Sequence, residues 1–245
     1  MLSWSTILAA GLAVTGAQGS PVELVERAPP ILYLAGDSTM ARGSGAYTGW
    51  GDYIAKYVTI PVVNKAIGGR SARSYTNEGR FAEIARLVKR DDIVVIEFGH
   101  NDGGSPNGAN DNGRSDCPGT GNEVCRSGKT GEIGARVIIS SQTPNNLYEG
   151  GSWLTGVPRF VGYAALAARN VGNGATFVDH FRAVANMFLR LRSSGTNALF
   201  PVDHTHTNAR GADLVAQAFA QAINRNLNGT TPLRPYLKNP VPNVF

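Results

Sequence analysis

The chain has 245 residues, 42% of them hydrophobic and 17% charged, which is enough for one full α/β domain and too few for two of ordinary size. Apolar runs recur along its whole length, so its 30 glycines point to tight loops and not to disorder. The formal net charge of +5 comes from scattered Lys and Arg without a long basic run, which argues against nucleic-acid binding and leaves a mild field for an anionic partner or a plain solubility charge.

The chain opens on a short apolar stretch, Ile7 to Val14, followed by the small residues Thr15, Gly16, Ala17 and Gly19. A bilayer span needs about 20 apolar residues, so residues 1–19 read as a cleaved secretory signal, although no Lys or Arg precedes the run. Residues 20–30 are a short N-terminal extension, 31–230 the domain and 231–245 a tail with four prolines, expected to be extended and mobile. The runs Ile31–Ala35, Pro61–Asn64, Ile93–Phe98, Val137–Ser140 and Ala175–Val178 read as buried parallel strands. Helical spacing appears at Gly49–Val58, Phe81–Val88, Phe160–Val171, Val184–Leu191 and Ala209–Leu227. This alternation predicts a three-layer α/β/α domain on a mostly parallel sheet. From Asp102 to Gly134 the rhythm breaks: the stretch is rich in Gly, Asn, Ser and Asp where a crossover helix belongs.

Cys117 and Cys125 are the only two cysteines. A disulfide closing their small loop is the simplest reading in an exported chain, with two free thiols as the alternative. Asn228-Gly229-Thr230 is an N-glycosylation sequon.

The chemistry-bearing residues lie just beyond predicted strand ends or before the closing helix, the edge where open α/β sheets bind ligands. Ser38, in Gly36-Asp37-Ser38, follows the first strand and is either a nucleophile or a cap. Asp203 and His206 are three apart, a spacing that lets the carboxylate orient the imidazole as general base. His204 reads as a loop residue, and His100 and His180 lack that carboxylate spacing. Gly68-Gly69 after the second strand offers backbone N–H groups to a ligand, and Asn101 after the third can donate to an oxyanion. The elbow pattern Gly-x-Ser-x-Gly is absent, which disfavours the α/β-hydrolase arrangement.

Four blocks in order, Gly36-Asp37-Ser38, Gly69, Gly99-His100-Asn101-Asp102 and Asp203-x-x-His206, make the chain resemble the SGNH (GDS-type) hydrolases. The longer strings AGDSTM, GGRSARSYTNEGRF, EFGHNDGG, SSQTPNN and DHTHT are similar to those of the fungal rhamnogalacturonan acetylesterases within that family. The resemblance implies a flavodoxin-like fold with a five-stranded parallel sheet. It implies Ser38 as nucleophile, Asp203 and His206 as its partners, and an oxyanion hole from the Ser38 and Gly69 N–H groups and the Asn101 side chain. It further implies a secreted monomeric esterase, without metal or organic cofactor. Such an esterase would remove acetyl groups from the rhamnogalacturonan backbone of pectin, with no nucleic-acid or membrane partner, and Arg70 or Arg73 would face the polyuronide. Alternatives are an esterase for another acylated carbohydrate or lipid, or a non-catalytic polysaccharide-binding relative. Members also carry a helix between the cysteine loop and the fourth strand, whereas here Cys125 is followed almost at once by Gly134-Ala135-Arg136-Val137. A gene-model error or a mis-spliced exon would account for that shortening, and a natural deletion is the alternative. A second, C-terminal cysteine pair implied by the resemblance is also missing, so a looser tail is expected.

Overall fold

Each of the five apolar runs forms a strand. In the computed structural model, which describes residues 28–43, 45–103, 113–114, 135–225 and 230–245, they are β1 (Leu32–Gly36), β2 (Val62–Asn64), β3 (Ile93–Glu97), β4 (Arg136–Ser140) and β5 (Ala175–Val178). All pair in parallel, in the order β2-β1-β3-β4-β5. The β1–β3 register sets Gly36 opposite Glu97, so the loops carrying Ser38 and Asn101 leave the sheet side by side. Side chains alternate across a strand. Leu32, Leu34, Ile93, Val95 and Ile138 therefore enter one core, and Tyr33, Ala35 and Val94 the other. Covering both faces is what makes these strands read as unbroken apolar runs.

Among the described residues five α-helices cover the sheet: α1 (Ala72–Asn77), α2 (Arg80–Leu87), α3 (Arg159–Val171), α4 (His180–Asn197) and α5 (Ala209–Arg225). Tyr75 of α1 and Ile84 of α2 close the core that holds Tyr33, while Phe188 of α4 and Phe219 of α5 fill the other. α1 is a single short stretch with one buried residue, too brief to show a period. It exists because Ser71 caps it reciprocally with Ser74, a pairing that satisfies N–H groups left open by the first turn.

Two expectations are corrected. Gly49–Val58 is not an α-helix but two short 3-10 turns, Trp50–Asp52 and Ile54–Lys56. The reason is tertiary: the N–H groups of Gly49, Trp50 and Gly51 donate to the carbonyls of Ala41, Thr39 and Met40 at 2.9–3.2 Å, which binds this segment to the Ser38 loop. The tail is not loose. Leu233 is fully buried, Val58 bridges Leu237, and the Gln221 amide holds Asn243, Val244 and Phe245 through four hydrogen bonds of 2.6–3.1 Å. The signal segment, the Cys117–Cys125 pairing, the Asn228 sequon and the shortened crossover before β4 lie outside the described residues. No helix among the described residues is long and apolar enough to cross a membrane.

Candidate active site

The turn after β1 is shaped by Asp37. Its buried carboxylate accepts from the Thr39 N–H (2.9 Å) and hydroxyl (2.8 Å), while its carbonyl accepts from the N–H groups of Met40 and Ala41. This Asx-type turn leaves Ser38 half-buried at the edge of the sheet. Burial pushes the Asp37 carboxyl up, against the pull of His100 and of the two Thr39 bonds.

A second turn, between α4 and α5, presents Asp203 and His206. Oδ1 of Asp203 accepts from the N–H groups of Thr205 and His206, each at 2.7 Å, which closes the turn. Its Oδ2 meets His206 Nδ1 at 2.7 Å, and His206 Nε2 meets Ser38 Oγ at 2.8 Å. Burial raises the Asp203 carboxyl, but the hydrogen bonds from the His206 side chain and from the His206 and Thr205 N–H groups outweigh it and hold it at about 2. Asp203 is therefore ionised near neutral pH, which favours the tautomer with the proton on Nδ1 and a lone pair on Nε2 toward Ser38. Asp203 does not cap α5; Asn208 does, accepting from the Gly211 N–H at 2.9 Å.

The third part is the loop after β2. A Cβ placed on Gly68 would lie 3.6 Å from the Ser38 Cβ, so this loop passes against the serine. Gly69 takes φ +74°, a conformation that glycine adopts without strain. Among the described residues, the backbone N–H groups of Ser38 and Gly69 donate to no protein acceptor. Asn101 reaches the same loop, its Nδ2 donating to the Arg70 carbonyl at 3.2 Å, which leaves the second N–H of that amide. Asp102 ties the two loops together by accepting from the Ala72 N–H at 2.9 Å. The structure thus gathers Ser38, Asp203, His206, Gly69 and Asn101 from four separate loops, a set fit for acyl transfer: a nucleophile with its base, and donors for a developing oxyanion.

The rival histidines go elsewhere. His204 pairs with Glu149 at 3.1 Å on the surface, and His100 Nε2 lies 3.4 Å from the Thr143 hydroxyl. His180 is fully buried, its Nε2 donating to the Val215 carbonyl (3.1 Å) and its Nδ1 facing Glu97 Oε2 (2.8 Å). Glu97 also accepts from Trp50 Nε1 (2.8 Å) and Ser140 Oγ (2.6 Å). Neither this hub nor Tyr47, whose ring lies 4.7 Å from that of His206, carries a spacing signal that a sequence reading could use. Arg70 is engaged by Glu78, with Nε 3.1 Å from Oε1, and by the Gly68 carbonyl.

Comparison with known proteins bears on the family and the fold. The family model described as GDSL-like Lipase/Acylhydrolase matches residues 32–219. The chain belongs to this family. It is 50% identical over 212 residues to a rhamnogalacturonan acetylesterase of Emericella nidulans, a match covering 78% of this chain and 84% of that one. Among solved structures it resembles the Bacillus subtilis protein YxiM, with a TM-score of 0.62 at 22% identity, covering 81% of this chain and 57% of that one. It also resembles an acetyl xylan esterase variant from Geobacillus stearothermophilus, with a TM-score of 0.51 at 19% identity, covering 79% of this chain and 94% of that one. At such identities the two structural likenesses speak for the fold alone.

Proposed function

We propose that this chain is a secreted serine acetylesterase that removes acetyl groups from the rhamnogalacturonan backbone of pectin. The observation that carries the reading is the continuous Asp203–His206–Ser38 hydrogen-bond chain beside the Ser38 and Gly69 N–H groups, which have no protein acceptor among the described residues. His206 takes the Ser38 proton as Oγ attacks the acetyl carbonyl. The oxyanion is received by the Ser38 and Gly69 N–H groups and the Asn101 amide. Collapse breaks the bond to the sugar oxygen, which receives from His206 the proton that came from Ser38 and leaves as the sugar hydroxyl, with acetyl-Ser38 remaining. Water, activated by the same imidazole, then releases acetate and restores the serine.

The substrate class rests on the 50% identical relative and on the openness of the site. Asp203, Gly68 and Gly69 are exposed, as attack on an acetyl group carried by a bulky polymer requires. The positive net charge suits a polyuronide, and the apolar N-terminal stretch supports secretion. The test is acetate release from acetylated rhamnogalacturonan against acetylated xylan at equal acetyl content. Faster release from the rhamnogalacturonan is expected; equal or reversed rates contradict the substrate, and polysaccharide binding with no release contradicts the enzyme.

A further inference from the structure

Tyr47 belongs to none of the blocks that mark the site, yet its ring lies against His206. The two centroids are 4.7 Å apart and the planes tilted by 39°. The imidazole is held in its own plane at both nitrogens, by Asp203 on Nδ1 and by Ser38 on Nε2. In-plane bonds leave the ring faces open and allow rocking about the line between the two partners. Tyr47 covers one of those faces.

Its placement is built. The Thr48 N–H donates to the Thr207 carbonyl at 3.0 Å, joining the Tyr47 loop to the turn that carries His206. The Thr48 hydroxyl accepts from the Gly43 N–H (3.2 Å) and donates to Asp52 (3.3 Å). Gly43 permits the loop to fold back on itself, since any Cβ there would collide with the Tyr47 carbonyl and Thr48 Cα. Among the described residues the Tyr47 hydroxyl has no hydrogen-bond partner, so what the loop delivers is the ring itself.

We infer that Tyr47 is a positioning residue whose π face favours the imidazolium that His206 becomes when it takes the Ser38 proton. An aromatic face attracts a cation within about 6 Å of its centroid, an electrostatic gain that adds to the ring contact it makes with the neutral imidazole. The contact therefore strengthens as the transition state forms, the condition for an interaction to raise the rate and not only the affinity. Among the described residues, the groups facing the imidazole are Asp203 from its own turn, Ser38 from the β1 loop and Tyr47; Asp52 acts on the loop through Thr48, and His204 is turned to Glu149. This inference rests on His206 being the general base.

The test compares wild type with Tyr47→Leu and Tyr47→Phe on a small acetyl ester across pH, and follows the His206 ring proton by NMR titration, assigned with His206→Asn. Removing the π face makes the imidazolium give up its proton more readily. In Tyr47→Leu the acid limb of kcat/KM and the NMR midpoint both move to lower pH, and the plateau falls roughly two- to tenfold. Tyr47→Phe keeps the face and stays near wild type. A lower plateau with neither limb nor midpoint moved would reduce Tyr47 to packing and overturn the inference, as would a Phe variant that behaves like Leu. The NMR arm needs no turnover: a wild type that hydrolyses no ester contradicts the proposed esterase, while an unshifted midpoint in Tyr47→Leu contradicts this inference alone.

Discussion

The proposed chemistry concentrates in groups whose individual roles differ in kind. Ser38→Ala removes the bond-forming atom, and acetate release is lost. Asp203→Asn keeps the shape but removes the charge that fixes the His206 tautomer, so kcat drops by roughly 10³- to 10⁴-fold with KM little changed. Steady-state kinetics on a small acetyl ester reads both. The Asp203 carboxyl, held at about 2, also links the site to acid stability. A depressed carboxyl contributes stability that is present above its ordinary value of 3.8 and lost as pH falls toward about 2. The group is 41% exposed, so solvent screening keeps that contribution small. The thermal-midpoint gap between wild type and Asp203→Asn is expected to shrink across that window; a gap that is flat or widening there contradicts the assignment. Ser38, Asp203 and His206 were legible because each sits in a short motif at a predicted strand end or before a helix. Tyr47 was not, because its contact joins positions far apart in the chain and leaves no periodic trace.

At the scale of elements, the site depends on how firmly its loops are anchored below. Glu97 at the end of β3 binds Trp50, Ser140 and His180, and so joins a 3-10 turn, β4 and α4; His180 in turn reaches the Val215 carbonyl of α5. The carboxylate is 1% exposed, and removing one member of such a cluster strands the others without partners. Glu97→Ala is expected to cost about 3–5 kcal/mol, read by urea unfolding. A loss below about 1 kcal/mol would mean that the hub is not an anchor. The strands were legible as continuous apolar runs, since both faces of a parallel sheet are buried. The segment of the 3-10 turns, Gly49–Val58, shows helical spacing in the sequence, with Trp50, Ile54 and Val58 at every fourth position, and the structure buries all three. What decided otherwise was the use of three N–H groups to bind the Ser38 loop, a tertiary demand invisible to periodicity.

At the scale of the whole molecule, the C-terminal tail acts as a strap. Gln221, 2% exposed, spends its entire amide on residues 243–245, and Arg225 lies over the Phe245 ring at 4.7 Å. Removing residues 239–245 strands that amide. The expected loss is about 1–3 kcal/mol, a fall of several degrees in Tm, with kcat unchanged because the α5 end that follows His206 is the opposite one. An unchanged Tm would show that the strap carries no load. Prolines and missing periodicity are all the sequence shows in the tail, which points to mobility, whereas the partners that hold it come from α5. Net charge acts at this scale too. KM for an acetylated polyuronide is expected to rise with ionic strength while KM for a neutral acetyl ester stays constant. Equal salt dependence for both would remove charge from the account of substrate choice.

The most direct measurement is to mix the purified chain with acetylated rhamnogalacturonan, quench at early times, and follow released acetate together with the mass of the peptide that carries Ser38. The account predicts steady acetate release, one acetyl group transiently on that peptide, and loss of both in Ser38→Ala. Acetate release that persists in Ser38→Ala, or an acetyl group found on another residue, would contradict it.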